Sequence, residues 1–156
     1  MEYRRHPENT LNHLLSIFFI YPMIAPLIIL DFFLEIYHNI GFRLYGLPLV
    51  EREKYIRIDR HKLSYLGPVA KLNCVYCGYA NGLLAYAARI AGDTEAYWCG
   101  IKHEVGNGYI EPAHHKHFLK YGDEVAYRQI STRLRQSYGV AKEEKVCKLS
   151  KEIRLR

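Results

Sequence analysis

The feature that most constrains this chain is a long apolar run close to its N-terminus. Residues 9–30 include no Asp, Glu, Lys or Arg, and the densest part is LLSIFFIYPMIAPLIIL at 14–30. A helix that spans the hydrocarbon core of a bilayer needs roughly 20 apolar residues, so this run is long enough. A secretory signal peptide is a poor match, because the run continues into DFFLEIYHNIGF and has no clean small-x-small cleavage site.

Two prolines, Pro22 and Pro26, lie inside this run. Each lacks a backbone N–H and its ring clashes with the preceding turn, so a straight helix is not expected. Three arrangements stay open: a kinked helix that spans the membrane, a re-entrant or interfacial segment, and a buried hairpin in a soluble protein. Basic residues on both flanks favour a monotopic, re-entrant segment with both ends on the cytoplasmic side. These residues are Arg4 and Arg5 before the run, and Arg43, Arg52, Lys54, Arg57, Arg60 and Lys62 after it.

Three polar residues follow the run on one predicted helical face. Asp31, Glu35 and His38 are spaced at i, i+4 and i+7. An amphipathic helix that lies at the membrane interface has this pattern. The Glu-x-x-His spacing also occurs in di-iron bundle proteins, but such a site needs further carboxylates from other helices. We expect the three side chains to face headgroups or the basic domain, and we keep them as candidate catalytic residues of a membrane-surface enzyme.

The net charge of +6 is unevenly distributed. Residues 1–50 sum to −1, so 51–156 carry +7. We therefore predict a membrane-associated helical segment at 1–48 and a basic Cys/His domain at 49–156, which an anionic lipid surface would attract. Nucleic acid is not expected as a partner, because no nucleic-acid-binding motif accompanies the basic residues. The expected partners are the membrane lipid surface and either another protein or a second copy of this chain.

Four residues in the middle of the chain have the spacing of metal ligands. Cys74 and Cys77 form a C-x2-C pair, and Cys99 and His103 form a C-x3-H pair. A stretch rich in Ala and Leu, 79–90, separates the pairs and is predicted to form a helix. A tight turn directs two thiolates at one point and a second pair completes the tetrahedron, as in closed Cys3His zinc sites. Because a closed site has no open position for substrate, a structural zinc is favoured over a catalytic one.

Other interpretations of these cysteines stay open. Thiolates also suit a single iron or an iron–sulfur cluster, which would make the chain an electron-transfer protein. A disulfide is disfavoured in a reducing cytosol, and a thioredoxin-like pair lacks its βαβ setting. Inert buried thiols are a further alternative. Cys147, in a tail rich in Lys and Glu, is an alternative to His103 as the fourth ligand.

Three blocks around these residues resemble a family of small, uncharacterised bacterial proteins that have an apolar N-terminus. The blocks are IDRHKL at 58–63, NCVYCGYANG at 73–82 and YWC-x3-H at 97–103. The resemblance extends over about half of the chain, from about Ile20 to His103. It implies that the Cys/His set acts as one unit, and it implies no activity.

A second group of chemically active side chains lies in the segment EPAHHKH. Imidazoles are metal ligands and proton carriers near neutral pH. His114, His115 and His117 are therefore candidate catalytic residues, with Glu104 or Glu111 as the accompanying acid. The other interpretation is a polar loop that contacts lipid phosphate when its histidines are protonated.

Three shorter patterns complete the fold prediction. YIRID at 55–59 alternates apolar and polar residues and is predicted to form a strand. The segment 121–138 predicts an amphipathic helix that docks on the domain, with Asp123 and Glu124 at its positive N-terminus. The Lys- and Glu-rich segment 142–156 is predicted to continue as a solvated helix or to fray.

The sequence thus predicts a mainly α fold, a small α+β protein, with a membrane-inserted or re-entrant N-terminal segment and a compact metal-stabilised domain. A hydrophobic content of 49% excludes a disordered chain. The favoured function is a membrane-associated, zinc-binding accessory or assembly protein that is not an enzyme. The alternatives are a membrane-surface enzyme for a lipid-linked or amphipathic substrate, and an iron-containing electron-transfer protein.

Overall fold

The computed structural model describes residues 7–106, 108–134 and 136–137, and this part of the chain is mostly helical. The helices are α1 (Thr10–Ile20), α2 (Ile24–Tyr45), α3 (Pro68–Trp98) and α4 (124–134). Short 3-10 helices lie at Pro7–Asn9, Tyr21–Met23, Arg52–Lys54, Arg60–Lys62 and Ala113–His117. The prediction of a mainly α fold is confirmed. The predicted tail at 142–156 lies outside the described residues.

The predicted strand at 55–59 is wrong. This segment follows the 3-10 turn Arg52–Lys54 and lies against α3. An alternation of apolar and polar residues produces a strand only where a neighbouring backbone supplies ladder hydrogen bonds, and the backbone of a helix is already bonded internally. Across the described ranges, the β contribution is a single parallel bridge between Ile101 and Leu119.

Contacts divide the chain into two compact units, Met1–Thr94 and Glu95–Arg156. The first unit contains α1, α2 and most of α3. The second unit contains the last turn of α3, the segment EPAHHKH at 111–117, which we call the histidine segment, and α4. The predicted division at 48/49 followed charge and hydropathy, and as a functional division it stays a prediction.

The two prolines of the apolar run interrupt its helix at one turn only. The helical stretch Thr10–Tyr45 contains the 3-10 turn Tyr21–Met23, which includes Pro22. Pro26 is the third residue of α2, in a first turn whose backbone N–H groups have no intrahelical partner in any case. Whether this stretch spans the membrane or re-enters on the same side stays a prediction.

One carbonyl group released by this turn finds a partner on α3. The backbone N–H of Ile24 donates to Tyr21 and Pro22 instead of to Ile20. The hydroxyl group of Tyr76 donates to the carbonyl oxygen of Ile20 at 2.8 Å. Because an unpaired backbone carbonyl in an apolar environment costs free energy, this contact makes the interruption tolerable.

The stretch Thr10–Tyr45 is long and apolar enough to cross a membrane. Only 6% of its most apolar 18-residue window is buried, and the side chains of Phe18 and Phe19 are 75% and 79% exposed. The core helix of a soluble protein buries most of such a surface. The interpretation as a buried hairpin therefore finds no support in this structure.

The core of the first unit lies where α2 and α3 meet. α2 ends at Gly46, which has a φ of 72° and whose N–H donates to the carbonyl oxygen of Arg43. The glycine supplies the left-handed conformation that commonly terminates helices. The buried apolar side chains are Leu27 and Phe42 of α2, and Ala80, Leu83, Tyr86 and Ile90 of α3.

Two glycines allow the segment after α2 to lie directly on α3. A Cβ atom at Gly82 would come within 2.7 Å of the carbonyl oxygen of Tyr55, and one at Gly78 within 3.0 Å of that of Arg57. Real Cβ atoms essentially never show the first of these distances. The two glycines of the NCVYCGYANG block therefore allow the backbone of 55–57 to pack against α3.

Candidate metal centre

The four predicted ligands Cys74, Cys77, Cys99 and His103 do not form one site in this structure. Cys74 and Cys77 lie one turn apart within α3, and Cys99 follows the last residue of that helix. At about 1.5 Å of rise per residue, the helix separates Cys77 from Cys99 by about 30 Å. The prediction assumed a tight turn at C-x2-C, whereas α3 is uninterrupted from Pro68 to Trp98. Cys147 lies outside the described residues.

A different group of ligand types comes together in the second unit. The donor atoms of Glu95, His103 and His115 all lie within 4.8 Å of one another. The Nε2 atom of His115 is 3.1 Å from Oε1 of Glu95, and Nε2 of His103 is 4.0 Å from the same oxygen. His114 places its Nε2 atom 2.8 Å from the other carboxylate oxygen, Oε2. We call Glu95, His103, His114 and His115 the Glu/His cluster.

Backbone contacts bring these residues together from three stretches of sequence. Glu95 lies in the last turn of α3, where its carbonyl group accepts hydrogen bonds from the N–H groups of Cys99 and Gly100. Gly100 has a φ of 58° and turns the chain out of the helix. Leu119 then accepts a hydrogen bond from the N–H of Lys102 and donates one to the carbonyl of Gly100, both at 2.8 Å. This pairing places the chain before His103 beside the chain that follows the histidine segment.

The cluster includes the most buried side chain among the described residues of the second unit. His115 is 1% exposed, and the ring of Phe118 stacks on it at 4.7 Å and 23°. Within the described ranges, Nδ1 of His115 has no hydrogen-bond partner. An unpaired nitrogen on a buried ring costs free energy. The hydrogen bond from His114 holds the pKa of Glu95 below its usual range; burial opposes this effect and the His115 hydrogen bond adds to it.

The chemistry of the cluster suits a transition metal. Imidazole nitrogens and a carboxylate oxygen are ligands of zinc, and two histidines with one carboxylate also bind non-haem iron. His103, a predicted metal ligand, and His115, a predicted catalytic residue, both belong to the cluster. His114 belongs to it through its contact with Oε2 of Glu95, whereas His117 of the same 3-10 turn does not join it.

The carboxylate of this cluster was missed by sequence analysis. Glu104 and Glu111 were the expected acids, but Glu111 forms an ion pair with Lys102 at 2.6 Å. The available signal was the position of Glu95 near the C-terminus of a helix, where the helix dipole disfavours a negative charge. That signal was hidden because the predicted helix ended at residue 90.

The other predicted residues, Asp31, Glu35 and His38, lie in the first unit and bond to the chain that follows α2. Arg52 donates to Oδ2 of Asp31 at 2.7 Å and to Oε1 of Glu35 at 2.8 Å. The Nε2 atom of His38 accepts from the backbone N–H of Val50 at 2.9 Å. The two carboxylates thus face a basic residue of 49–156.

Two tyrosines of α3 complete this polar network. Tyr79 donates to Asp31 at 2.8 Å, and the hydroxyl of Tyr86 lies 3.0 Å from Nδ1 of His38. Burial, and then the hydrogen bond to Asp31, raises the pKa of Tyr79 to about 12. Burial, and then the nearby Glu35 charge, raises the pKa of Tyr86 to about 12. Because its polar groups are paired with one another, this network ties α2 to α3 and leaves little capacity for a metal.

Comparisons with known proteins do not assign this chain to a family. No family model, no curated protein and no solved structure matches the chain.

Proposed function

We propose that this chain is a membrane-associated, zinc-binding accessory or assembly protein, whose metal is held by the Glu/His cluster and not by the cysteines. The observation that supports this most directly is the convergence of Glu95, His103 and His115, whose donor atoms lie within 4.8 Å of one another. Two imidazoles and a carboxylate are a common ligand set for zinc. His114, on the second oxygen of Glu95, is the nearest further nitrogen ligand.

The burial pattern supports a structural role for the metal. In the described part of the second unit, His115 is the one buried residue, and it is polar. Val125 and Leu134 of α4 are 68% and 63% exposed. A small unit without buried apolar side chains lacks the usual driving force for folding, and a structural metal is one of the established substitutes. Zinc at the cluster would fasten the end of α3 to the histidine segment.

Elemental analysis of the full-length protein in detergent tests the metal assignment. We expect one zinc ion per chain and no visible colour. His115→Ala should abolish the bound zinc, and His117→Ala, in the same 3-10 turn but outside the cluster, should retain it. The double variant Cys74→Ser/Cys77→Ser should retain it as well. Loss of zinc from the cysteine variant, with retention in His115→Ala, would show that the thiolates and not the Glu/His cluster bind the metal.

Charged substitutions test the membrane assignment. Replacing both Phe18 and Phe19 by Asp should release the chain from phospholipid vesicles in a flotation assay, because a carboxylate inside the hydrocarbon core costs about 2.5–3.5 kcal/mol. The matched control is Tyr65→Asp, since Tyr65 is 77% exposed and lies outside the apolar stretch. Continued flotation of the double variant would contradict membrane insertion of α1.

A metal-dependent enzyme is the second candidate function. A cavity of about 480 Å³ in the second unit has Cys99, His117 and Phe118 in its wall. Phe118 also stacks on His115, so one residue of the cavity wall contacts the cluster. Three protein ligands leave an open position on zinc, as in catalytic sites. In the Co²⁺-substituted protein, a change in visible spectrum on adding azide would favour the enzyme, and an unchanged spectrum would favour the structural role. Iron with visible absorbance in the purified protein would instead favour electron transfer.

A further inference from the structure

A second cavity lies in the first unit, apart from the Glu/His cluster. Its volume is about 640 Å³, within the range of pockets that hold small ligands. α1 supplies one wall and the first half of α3 supplies the other. The residues that define it best are Leu14, Ile17 and Ile20 from α1, and Asn73, Tyr76 and Cys77 from α3. We call this cavity the α1–α3 cleft.

Specific side-chain contacts join α1 and α3 at one end of the cleft. Tyr21 donates to Oδ1 of Asn73 at 2.5 Å, and Tyr76 donates to the carbonyl oxygen of Ile20 at 2.8 Å. The rings of Tyr21 and Tyr76 are 5.6 Å apart and tilted against each other. These contacts fix the C-terminal end of α1 to α3. At this end of the cleft the two helices are therefore joined by specific contacts.

The chemistry of the lining selects an uncharged, apolar ligand with a polar end. No Asp, Glu, Lys or Arg lies among the described residues that line the cleft, and its remaining polar lining residues are Thr10, His13, Ser16 and Tyr21. Leu14, Ile17 and Ile20 are between 42% and 56% exposed, so roughly half of the surface of each side chain remains uncovered. Because Oδ1 of Asn73 already accepts a hydrogen bond, the two N–H groups of its amide are the donors it can offer to a ligand carbonyl.

The position of α1 determines where such a ligand comes from. α1 belongs to the stretch Thr10–Tyr45, which is apolar enough to enter a bilayer. In that setting the cleft opens where acyl chains are the most abundant apolar groups. An acyl chain has no polar group along its length, so it leaves none unpaired against the apolar part of this wall.

We propose that the α1–α3 cleft binds one acyl chain of a membrane phospholipid, with the ester carbonyl beside Asn73. The inference rests on the proposed membrane association of α1; the site depends on the first unit alone and is independent of the metal. Its role is to hold a lipid molecule against α3.

Photo-crosslinking to the full-length protein tests this proposal. The probe is phosphatidylcholine with a diazirine in one acyl chain, incorporated into phosphatidylcholine vesicles, and the attached peptides are identified by mass spectrometry. Lipid attached to α1 alone would report only membrane insertion. We expect attachment on the α3 side as well, at Asn73, Tyr76 or Cys77. Absence of lipid from this part of α3 would overturn the proposal.

Filling the cleft supplies the matched comparison. Ile17→Trp should reduce crosslinking to 73–77 about tenfold, because an indole ring occupies the space that the chain needs. Phe18→Trp is the control, since Phe18 is the next residue, is 75% exposed and does not line the cleft. Cys77→Phe fills the cleft from the opposite wall and replaces Ile17→Trp if circular dichroism shows that the latter has lost its helicity. Equal crosslinking in the filled variant and in Phe18→Trp would contradict a bound chain.

Discussion

At the scale of single residues, one carboxylate connects the histidines of the second unit. Glu95 lies within 3.1 Å of His114 and His115, and within 4.0 Å of His103. An uncharged amide of the same size retains one acceptor oxygen but lacks the charge that strengthens these hydrogen bonds and binds a cation. The role of Glu95 therefore depends on its charge and not on its volume.

The first prediction follows from this charge. Glu95→Gln should lose zinc and melt at a lower temperature than the wild type, because a metal that binds only the folded state stabilises it. Glu111→Gln is the control, since Glu111 lies in the same unit and pairs with Lys102 at the surface. A chelator should lower the melting temperature of the wild type and of Glu111→Gln, and should leave that of Glu95→Gln unchanged. A chelator effect of the same size on Glu95→Gln would contradict the role of this carboxylate.

The second prediction concerns the alkaline stability of the first unit. A tyrosine titrates near pH 10 in an unfolded chain, and the pKa of Tyr79 is raised to about 12 in the fold. The folded state thus holds the phenol proton more tightly. The corresponding stability is fully present below pH 10 and is lost as the pH rises from about 10 to about 12.

Tyr79→Phe tests this sign. The variant should be less stable at pH 8, by about 1 kcal/mol for the lost hydrogen bond to Asp31, and its stability should fall less steeply above pH 10. Tyr65→Phe, at a position 77% exposed, should follow the wild type at every pH. Thermal melts in detergent between pH 8 and pH 12 measure both effects. A slope for Tyr79→Phe as steep as that of the wild type would contradict the assignment.

At the scale of the elements, the packing of 55–57 on α3 depends on the absence of two side chains. Gly82 meets the backbone of Tyr55 and Ile56, which cannot move aside as a flexible side chain would. This contact also positions Arg52, shortly before the segment, to reach Asp31 and Glu35 on α2. A change at Gly82 should therefore disturb the contact between α2 and α3 as well as its own neighbours.

The third prediction is a glycine comparison. Gly82→Ala should destabilise the first unit by about 1–3 kcal/mol, since the overlap outweighs the gain of about 1 kcal/mol that alanine brings to a helix interior. At Gly67 an added Cβ meets nothing within 4 Å, so Gly67→Ala should stay within about 0.5 kcal/mol of the wild type. Denaturant unfolding followed by circular dichroism compares the two. Equal free energies of unfolding for the two variants would show that the backbone of 55–57 can shift to make room for the added Cβ atom with little loss of stability.

Local patterns predicted elements well where the determining residues were neighbours in sequence. The apolar run predicted the helices α1 and α2. Asp123 begins α4, as predicted, by accepting a hydrogen bond from the N–H of Ala126 at 2.9 Å. The C-x2-C spacing misled, because it fits a knuckle and a helix surface equally well. The alanines that follow it allow α3 to continue unbroken. Glu95 meets His103 and His115, which lie eight and twenty residues later in the sequence, only because the chain folds back on itself.

At the scale of the whole molecule, each of the two units is stabilised internally by a different physical means. The first has an apolar core between α2 and α3. The second, over its described residues, has one buried side chain, and that side chain is an imidazole. Removing metal should therefore affect the two units unequally. The proposed structural zinc leads to a regional prediction that a single melting temperature would not resolve.

The fourth prediction is that chelation loosens the second unit and spares the first. Hydrogen exchange reports local opening along the chain. In the full-length protein in detergent, a chelator should speed amide exchange at 99–119, while exchange around Leu83 and Tyr86 stays slow because their burial does not depend on the metal. In Glu95→Gln, exchange at 99–119 should be fast before any chelator is added. Faster exchange around Leu83 in the same experiment would mean that the metal supports the whole fold, and unchanged exchange at 99–119 would exclude a structural role for it.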